Sequence, residues 1–313
     1  FQIFIQLTRL NKPIGFLLLF WPSAWGLTLA YFFSGNTTLY IKYIILFFLG
    51  AVLMRSAGCI FNDIVDRNFD KKVERTKVRP IASGRISVIE AFIYIILLCS
   101  LALLILLQFN LLTITLGMIS MILVFTYPFM KRITYWPQLF LGLTFNWGII
   151  MGWTSIINGL SIEPLILYLA AIFWTLGYDT IYGLQDIHDD EIIGVKSTSI
   201  KFKNNVKVFI GICYSLSVFC ILMLCHMIEI NKYILIISLF IILSLIYQLK
   251  IVNIKNPNRY PVMTLTFFTG RSRRRSRVPS IRSLRKLTPV TKKLKKKTIT
   301  PNRAGVILFR ISF

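Results

Sequence analysis

Acidic residues are scarce in this chain: 12 Asp and Glu stand against 36 Lys and Arg in 313 residues, with only 2 histidines. Cysteine is sparse too. Cys59, Cys99, Cys213, Cys220 and Cys225 fall singly in apolar runs and form no C-x-x-C pair. That spacing excludes a thiolate metal site or a disulfide scaffold, and the cysteines read as small apolar residues. Charge as a whole is low at 15%, while 56% of residues are hydrophobic and the mean hydropathy is +0.69. A soluble domain of this length carries more charge and less apolar surface.

What is present is a series of apolar runs, each long enough to cross a bilayer core at about 20 residues. They fall near 13–34, 39–61, 87–107, 110–130, 137–157, 163–182, 206–226 and 232–250. Backbone exposed to lipid must satisfy its own hydrogen bonds, so these runs predict helices. The expected fold is all-α: a polytopic membrane helix bundle in a lipid bilayer.

The bases are unevenly placed. Alternate loops and span ends on one side hold Arg9, Lys12, Arg67, Lys71, Arg79, Lys131, Arg132 and Lys196, while the other side keeps only Lys42 and Lys232. The rich side is expected to face the cytoplasm, or the matrix of a mitochondrion. From Arg271 onward there are 15 bases and no acid, which leaves 21 bases and 12 acids for the rest. The extreme basicity therefore belongs to the end of the chain. No nucleic-acid partner is expected.

The few acids are gathered. Residues 62–70 read NDIVDRNFD and residues 178–190 read YDTIYGLQDIHDD, and both close an apolar run on the base-rich side. On a helix, Asn62, Asp66 and Asp70 share one face at i, i+4 and i+8, with Asp63 beside them. Asp186 and Asp190 stand at i, i+4, and Asp179 and Tyr182 lie one to two turns earlier. Two carboxylate faces brought together in a low dielectric repel unless a cation lies between them. Hard oxygen donors without histidine or cysteine suit magnesium, which takes a few carboxylates together with substrate phosphates. The clusters thus predict a magnesium-bridged diphosphate, with Arg67, Lys71 and Arg79 near enough to complete an anion site. Solvated loop charge is the plainer reading. Two matching clusters on one side favour the functional one.

Arg55 lies inside the second run, seven residues before Asn62 and on nearly the same helical face. An arginine there costs about 2.5 kcal/mol or more unless it finds a partner or water. It is expected to bind an anionic substrate group. A buried structural pair or a snorkelling side chain is the alternative.

These residues resemble a known family. NDIVDRNFD fits the N-D-x-x-D-x-x-x-D motif of the UbiA superfamily of intramembrane aromatic prenyltransferases. DTIYGLQDIHDDEIIGVKS resembles that superfamily's second motif, with Gly183 in place of its usual Ala, a change expected to matter little. RLNKPIGFLLLFWPSAWGL (9–27) and YPFMKRITYWPQLFLGLTFNWG (127–148) are similar to the branch that prenylates 4-hydroxybenzoate. The resemblance implies eight to nine spans around a central cavity. It implies Mg2+ ions holding a polyprenyl diphosphate between Asn62/Asp66 and Asp186/Asp190, with Asp70 as a further metal-site acid. Asp66, Asp186 and Asp179 become the expected catalytic acids. Arg55, Asp63, Arg67, Lys71, Arg79, Tyr127, Lys131, Arg132, Tyr182 and Lys196 become the expected substrate contacts. The implied reaction transfers the polyprenyl group to the ring of 4-hydroxybenzoate in ubiquinone biosynthesis, at a bacterial or mitochondrial inner membrane.

Residues 1–259 are expected to form the membrane domain. Residues 260–313 form an atypical basic tail, read as frameshifted or artificial sequence because no ninth run of sufficient length follows. A polybasic segment that binds anionic lipid is the alternative. A different aromatic acceptor remains open as a substrate. A transporter is disfavoured because the acids lie at span ends rather than at mid-membrane. A non-catalytic scaffold would tolerate loss of the carboxylates.

Overall fold

The computed structural model describes residues 2–71, 76–185, 187–229 and 233–251. The apolar runs all become helices. In order these are α1 (Gln2–Thr8), α2 (Ile14–Ser34), α3 (Thr37–Asp70), α4 (Val88–Leu106), α5 (Leu111–Ile133) and α6 (Pro137–Asn146). There follow α7 (Gly148–Ile157), α8 (Ile162–Gly183), α9 (Ile187–Ile193), α10 (Thr198–Lys201), α11 (Val206–Met227) and α12 (Tyr233–Ile251). No strand occurs among the described residues. Among them, α2, α3, α4, α5, α6 with α7, α8 and α11 make 7 stretches long and apolar enough to cross a membrane. The eighth expected span is the helix α12. The ninth span and the basic tail lie outside the described residues.

Capping chemistry fixes the ends of these helices. The Asn36 side chain accepts from Leu39 N at 3.1 Å to start α3. Ser87 and Glu90 form a reciprocal capping box on α4, which satisfies two otherwise orphaned backbone donors. Asn110 caps α5 and also donates to the Thr154 carbonyl at 2.7 Å, tying the α4–α5 turn to the end of α7. The outward faces are apolar: Ile93, Ile96, Leu104, Leu111 and Ile122 are all exposed. A water-soluble bundle would not leave them so, and in lipid they are at home. The chain is a multi-pass membrane protein.

One element outruns its expected span, and another carries a local irregularity within it. The second span was expected to end near residue 61, yet α3 runs on to Asp70. No glycine or proline interrupts residues 59–71, so nothing stops propagation. At 34 residues, α3 is about 51 Å long at a 1.5 Å rise, and it carries the acidic motif out of the bilayer as helix. The expected span 137–157 forms as one membrane-length stretch, with a local interruption at Trp147 between α6 and α7. There the Asn146 amide donates to the Gly142 carbonyl at 2.8 Å and to Thr175 at 2.9 Å, and the Trp147 indole donates to the Leu116 carbonyl at 3.0 Å. Just beyond, α7 lies backbone to backbone on α2. A Cβ on Gly26 would stand 2.1 Å from the Ile149 carbonyl oxygen, so only glycine permits the approach.

Packing brings the acidic ends of α3 and α8 to one end of the bundle. Leu7, Ile60, Ile64, Ile81, Ala91 and Ile95 bind α1, α3 and α4 together beneath the first motif. Leu184, Ile187, Val206, Ile210 and Tyr214 do the same for α8, α9 and α11 beneath the second.

Candidate active site

Asn62, Asp63, Asp66 and Asp70 are all buried, at 3, 2, 4 and 7% exposure. Carboxylates at the C-terminal end of a helix meet the negative end of its dipole, and burial raises their cost further. The protein answers with cations drawn from three other segments. Lys131 and Arg132, in the last turn of α5, both pair with Asp66, the arginine at 3.3 Å. Arg132 also donates to the Val65 carbonyl at 2.8 Å and lies over the Phe69 ring at 4.8 Å. Arg79, from the loop before α4, reaches Asp70 at 2.7 Å and Asp63 at 3.1 Å.

The fourth cation is Arg9, which the sequence pattern placed only as a loop base. Its guanidinium donates to Asp63 at 2.6 Å. Burial works against its charge, but Asp63, with Cys59 and Asp70 behind it, raises its pKa above the usual guanidinium value. The backbone at Arg9 has φ 54°, a left-handed conformation costing a non-glycine residue about 1–2 kcal/mol. The Asp63 contact holds it there. The available signal was its place in RLNKP, directly ahead of the first long span.

The network divides the first motif. Asp63 and Asp70 are bound by Arg9 and Arg79, while Asn62 and Asp66 occupy the neighbouring face. The Asn62 amide nitrogen has no hydrogen-bond partner among the described residues. Arg67 and Lys71 remain exposed, on another face of α3 from Asp66.

The second motif sits at the end of α8 and through α9. Asp190 is buried, and Asp179 and Tyr182 are half-buried; Asp186 lies outside the described residues. The GVKS stretch that follows docks onto α5 and α8. Lys196 receives no carboxylate among its described contacts. Its backbone N–H donates to the Lys131 carbonyl at 2.8 Å and its ammonium to the Ile133 carbonyl at 3.1 Å, which caps the end of α5. Lys196 thereby positions the segment carrying Lys131 and Arg132. Ser199 donates to the Thr180 carbonyl at 2.8 Å. A Cβ at Gly183 would stand 2.2 Å from the Ser199 hydroxyl oxygen. An alanine at Gly183 would require the Ser199 hydroxyl to turn away.

Deeper in the bundle, Arg55 is 6% exposed. A Cβ at Gly15 would come within 2.6 Å of Arg55 Nε, so the guanidinium lies flat against the bare backbone of α2. Tyr127 lies within electrostatic reach of both Arg55 and Tyr178. Tyr182, Tyr178 and Trp174 follow one another along α8 with ring centroids 6.2 and 5.0 Å apart, and Trp25 of α2 extends the line at 6.1 Å.

No three histidine, cysteine or acidic side chains converge on a point among the described residues. The donor set suits a cation that shares its coordination with substrate phosphate rather than one caged by protein alone. Asp66, buried with its two oxygens turned toward Lys131 and Arg132, offers hard-oxygen donors at this end.

The UbiA prenyltransferase family model matches residues 19–269. The chain is 48% identical over 213 residues to the mitochondrial 4-hydroxybenzoate polyprenyltransferase of Rattus norvegicus, covering 67% of this chain and 56% of that protein. It is 47% identical over 211 residues to the Drosophila melanogaster protein of the same name, covering 66% and 53%. The chain thus spans little more than half the length of these relatives. Among solved structures, a UbiA homolog from Aeropyrum pernix K1 superposes with a TM-score of 0.64 at 21% identity, covering 77% of this chain and 94% of that one. A UbiA homolog from Archaeoglobus fulgidus, bound to GPP and Mg2+, gives 0.65 at 21% identity, covering 80% and 87%. The fold is theirs.

Proposed function

The chain belongs to the UbiA prenyltransferase family, and from that premise we propose that it transfers a polyprenyl group from a polyprenyl diphosphate to the ring carbon ortho to the hydroxyl of 4-hydroxybenzoate. The name shared by the relatives at 47 and 48% identity supports this acceptor. The observation that carries the reading is the buried Asp66 between Lys131 and Arg132, one turn from Asn62 and three turns from Arg55. Acids and bases at one end, with the buried Arg55 deeper in the bundle beyond them, match a substrate with a diphosphate head and an acceptor with a carboxylate.

Magnesium, held through Asn62, Asp66, Asp186 and Asp190 together with the diphosphate, would supply the positive charge that makes diphosphate a good leaving group. Lys131 and Arg132 add to that charge at the same end. The allylic C–O bond breaks and its electron pair leaves with the diphosphate. The ring carbon ortho to the phenol attacks the allylic cation, and the proton on that carbon departs to restore aromaticity. Asp179, on the same turn as Tyr178, is the assigned acceptor of that proton. Tyr127, Tyr178 and Tyr182 present ring faces that lower the energy of the cation. Arg55 holds the acceptor's carboxylate, for which a planar two-pronged donor is the best match. The bundle excludes water, which would otherwise quench the cation. Asp63, Asp70 and Arg79 act at one remove, by fixing the end of α3. We place the protein in a mitochondrial or bacterial inner membrane, with the acidic end toward matrix or cytoplasm.

The test is an assay of membranes containing the chain with 4-hydroxybenzoate, a polyprenyl diphosphate and magnesium. Prenylated 4-hydroxybenzoate and released diphosphate are expected in equal amounts. Membranes that, supplied with the same donor, prenylate only some other aromatic acid would replace the acceptor, and absence of any prenylated product would remove the reading.

A further inference from the structure

Residues 201–209 read KFKNNVKVF, with three lysines and no acid. They carry the end of α10 into the first turn of α11. Lys203 is answered by Glu191 of α9 at 2.7 Å. Lys201 and Lys207 are exposed and meet no carboxylate among the described residues.

Lys201 has a built support. Its ammonium lies over the indole of Trp136, 4.7 Å from the ring centre. Trp136 stands edge-on to Phe202 at 5.7 Å and to Phe209 at 6.0 Å, and Phe202 and Phe209 stack face to face at 4.0 Å. The helix beneath is fixed as well. The Thr198 N–H donates to Gln138 Oε1 at 3.0 Å, and the Thr198 and Thr180 hydroxyls share a hydrogen bond of 2.7 Å. The ring face of Trp136 answers part of the lysine's charge but gives its three N–H donors no oxygen acceptor.

Next to these cations α11 turns an apolar stripe outward. Val208, Ile212, Leu216, Phe219 and Met223 recur at steps of three and four, and they are 63, 54, 39, 64 and 46% exposed. Such spacing puts them on one helical face, about 22 Å long from Val208 to Met223. On a membrane helix that face meets acyl chains. Trp136 stands where tryptophan is favoured, between the apolar region and the headgroups.

We propose that this surface holds an anionic phospholipid of the surrounding bilayer, with its phosphate against Lys201 and Lys207 and its acyl chains along the Val208–Met223 stripe. Charge decides the occupant. A zwitterionic lipid brings its own cation to a surface that already carries two uncompensated ammonium groups, whereas an anionic headgroup is attracted by each lysine in turn. A second copy of the chain docked here across a two-fold axis would set the same lysines against each other. The site shares no residue with those assigned to the diphosphate or the acceptor, and it stands apart from the transfer reaction.

The test is photolabelling of the full chain in phosphatidylcholine nanodiscs. Two probes carry a diazirine on an acyl chain, one a phosphatidylglycerol and the other a phosphatidylcholine, and adducts are mapped by mass spectrometry. The phosphatidylglycerol probe is expected to label residues 208–219 more than the other by about fivefold or more, and unlabelled phosphatidylglycerol should compete it away. Lys201→Gln combined with Lys207→Gln should erase the preference. Lys201→Arg combined with Lys207→Arg should keep it, because guanidinium also binds phosphate. Both positions are exposed, so neither pair of changes empties a buried contact. Residues 271–313 keep all their bases in every variant, so lipid bound there cannot imitate the loss. Equal labelling by the two probes would mean ordinary bilayer contact and overturn the proposal, as would a preference that survives the glutamine pair. Crosslinks between two chains at the stripe, in place of lipid adducts, would give the face to a second copy and overturn it too.

Discussion

Arg55 is held by geometry as much as by charge. Its guanidinium lies against α2 only because residue 15 has no side chain, so the proposed reading of the acceptor's carboxylate by Arg55 depends on Gly15 as well. Arg55→Lys keeps the charge and loses the planar two-pronged donor. The KM for 4-hydroxybenzoate should rise about tenfold or more, a loss of at least 1.4 kcal/mol, with a much smaller change in the KM for the prenyl diphosphate. Gly15→Ala should give the same split, because its Cβ displaces the guanidinium. Steady-state kinetics varying each substrate in turn checks both. A rise confined to the donor KM would move Arg55 to the diphosphate and leave Arg132 to read the carboxylate. Asp66→Asn belongs to the other end of the site. It should lower kcat by on the order of 10²-fold or more while the protein still inserts and folds. Near wild-type turnover in that variant would sink the two-cluster reading. Residue types and spacing were enough to find Asp66 and Arg55, since charge in an apolar run stands out. Gly15 was illegible, because its meaning depends on which helix packs across from Arg55.

At the scale of the element, α3 does what a loop could not. As one unbroken helix through Asp70 it sets Asn62 and Asp66 on one face and gives Asp63 and Asp70 to Arg9 and Arg79. The helical spacing of the acids was readable in the sequence. The length of the helix was not, because apolarity ends near residue 61 and hydropathy alone marks the edge of lipid, not the edge of a helix. The break at Trp147 was hidden for the opposite reason: residues 137–157 stay apolar throughout, and only the side-chain contacts of Asn146 and Trp147 reveal it. The pairing of Arg79 with two acids predicts a structural role. Arg79→Gln takes a cation from both Asp63 and Asp70, which are 2% and 9% exposed at the side chain. Leaving buried carboxylates under-compensated should destabilise the protein by up to about 3 kcal/mol, read as a lower Tm in detergent. Salt should not restore it, since buried pairs are weakly screened. An unchanged Tm would mean that the end of α3 is fixed by apolar packing alone.

The whole molecule separates two tasks that share the same acids. Folding requires that buried carboxylates be compensated when no substrate is present. The proposed reaction adds a second demand, that Asp66 share in taking up metal and diphosphate. Asp66 pairs with Lys131 and Arg132, and Asp63 and Asp70 with Arg9 and Arg79, so protein cations already meet the first demand. This distinguishes the site from a structural metal centre, where binding free energy is folding free energy and chelators unfold the protein. Chelation should therefore abolish prenyl transfer while leaving the Tm in detergent within a few degrees of its starting value. Adding magnesium back should restore the rate, and the magnesium needed for half-maximal rate should fall as prenyl diphosphate rises, because the diphosphate supplies part of the coordination. Thermal unfolding and initial rates measured on one chelated sample check both halves. A large drop in Tm on chelation would make the metal part of the fold and leave the Lys131 and Arg132 pairs insufficient to stabilise Asp66. A rate untouched by chelation would remove the metal from the reaction altogether.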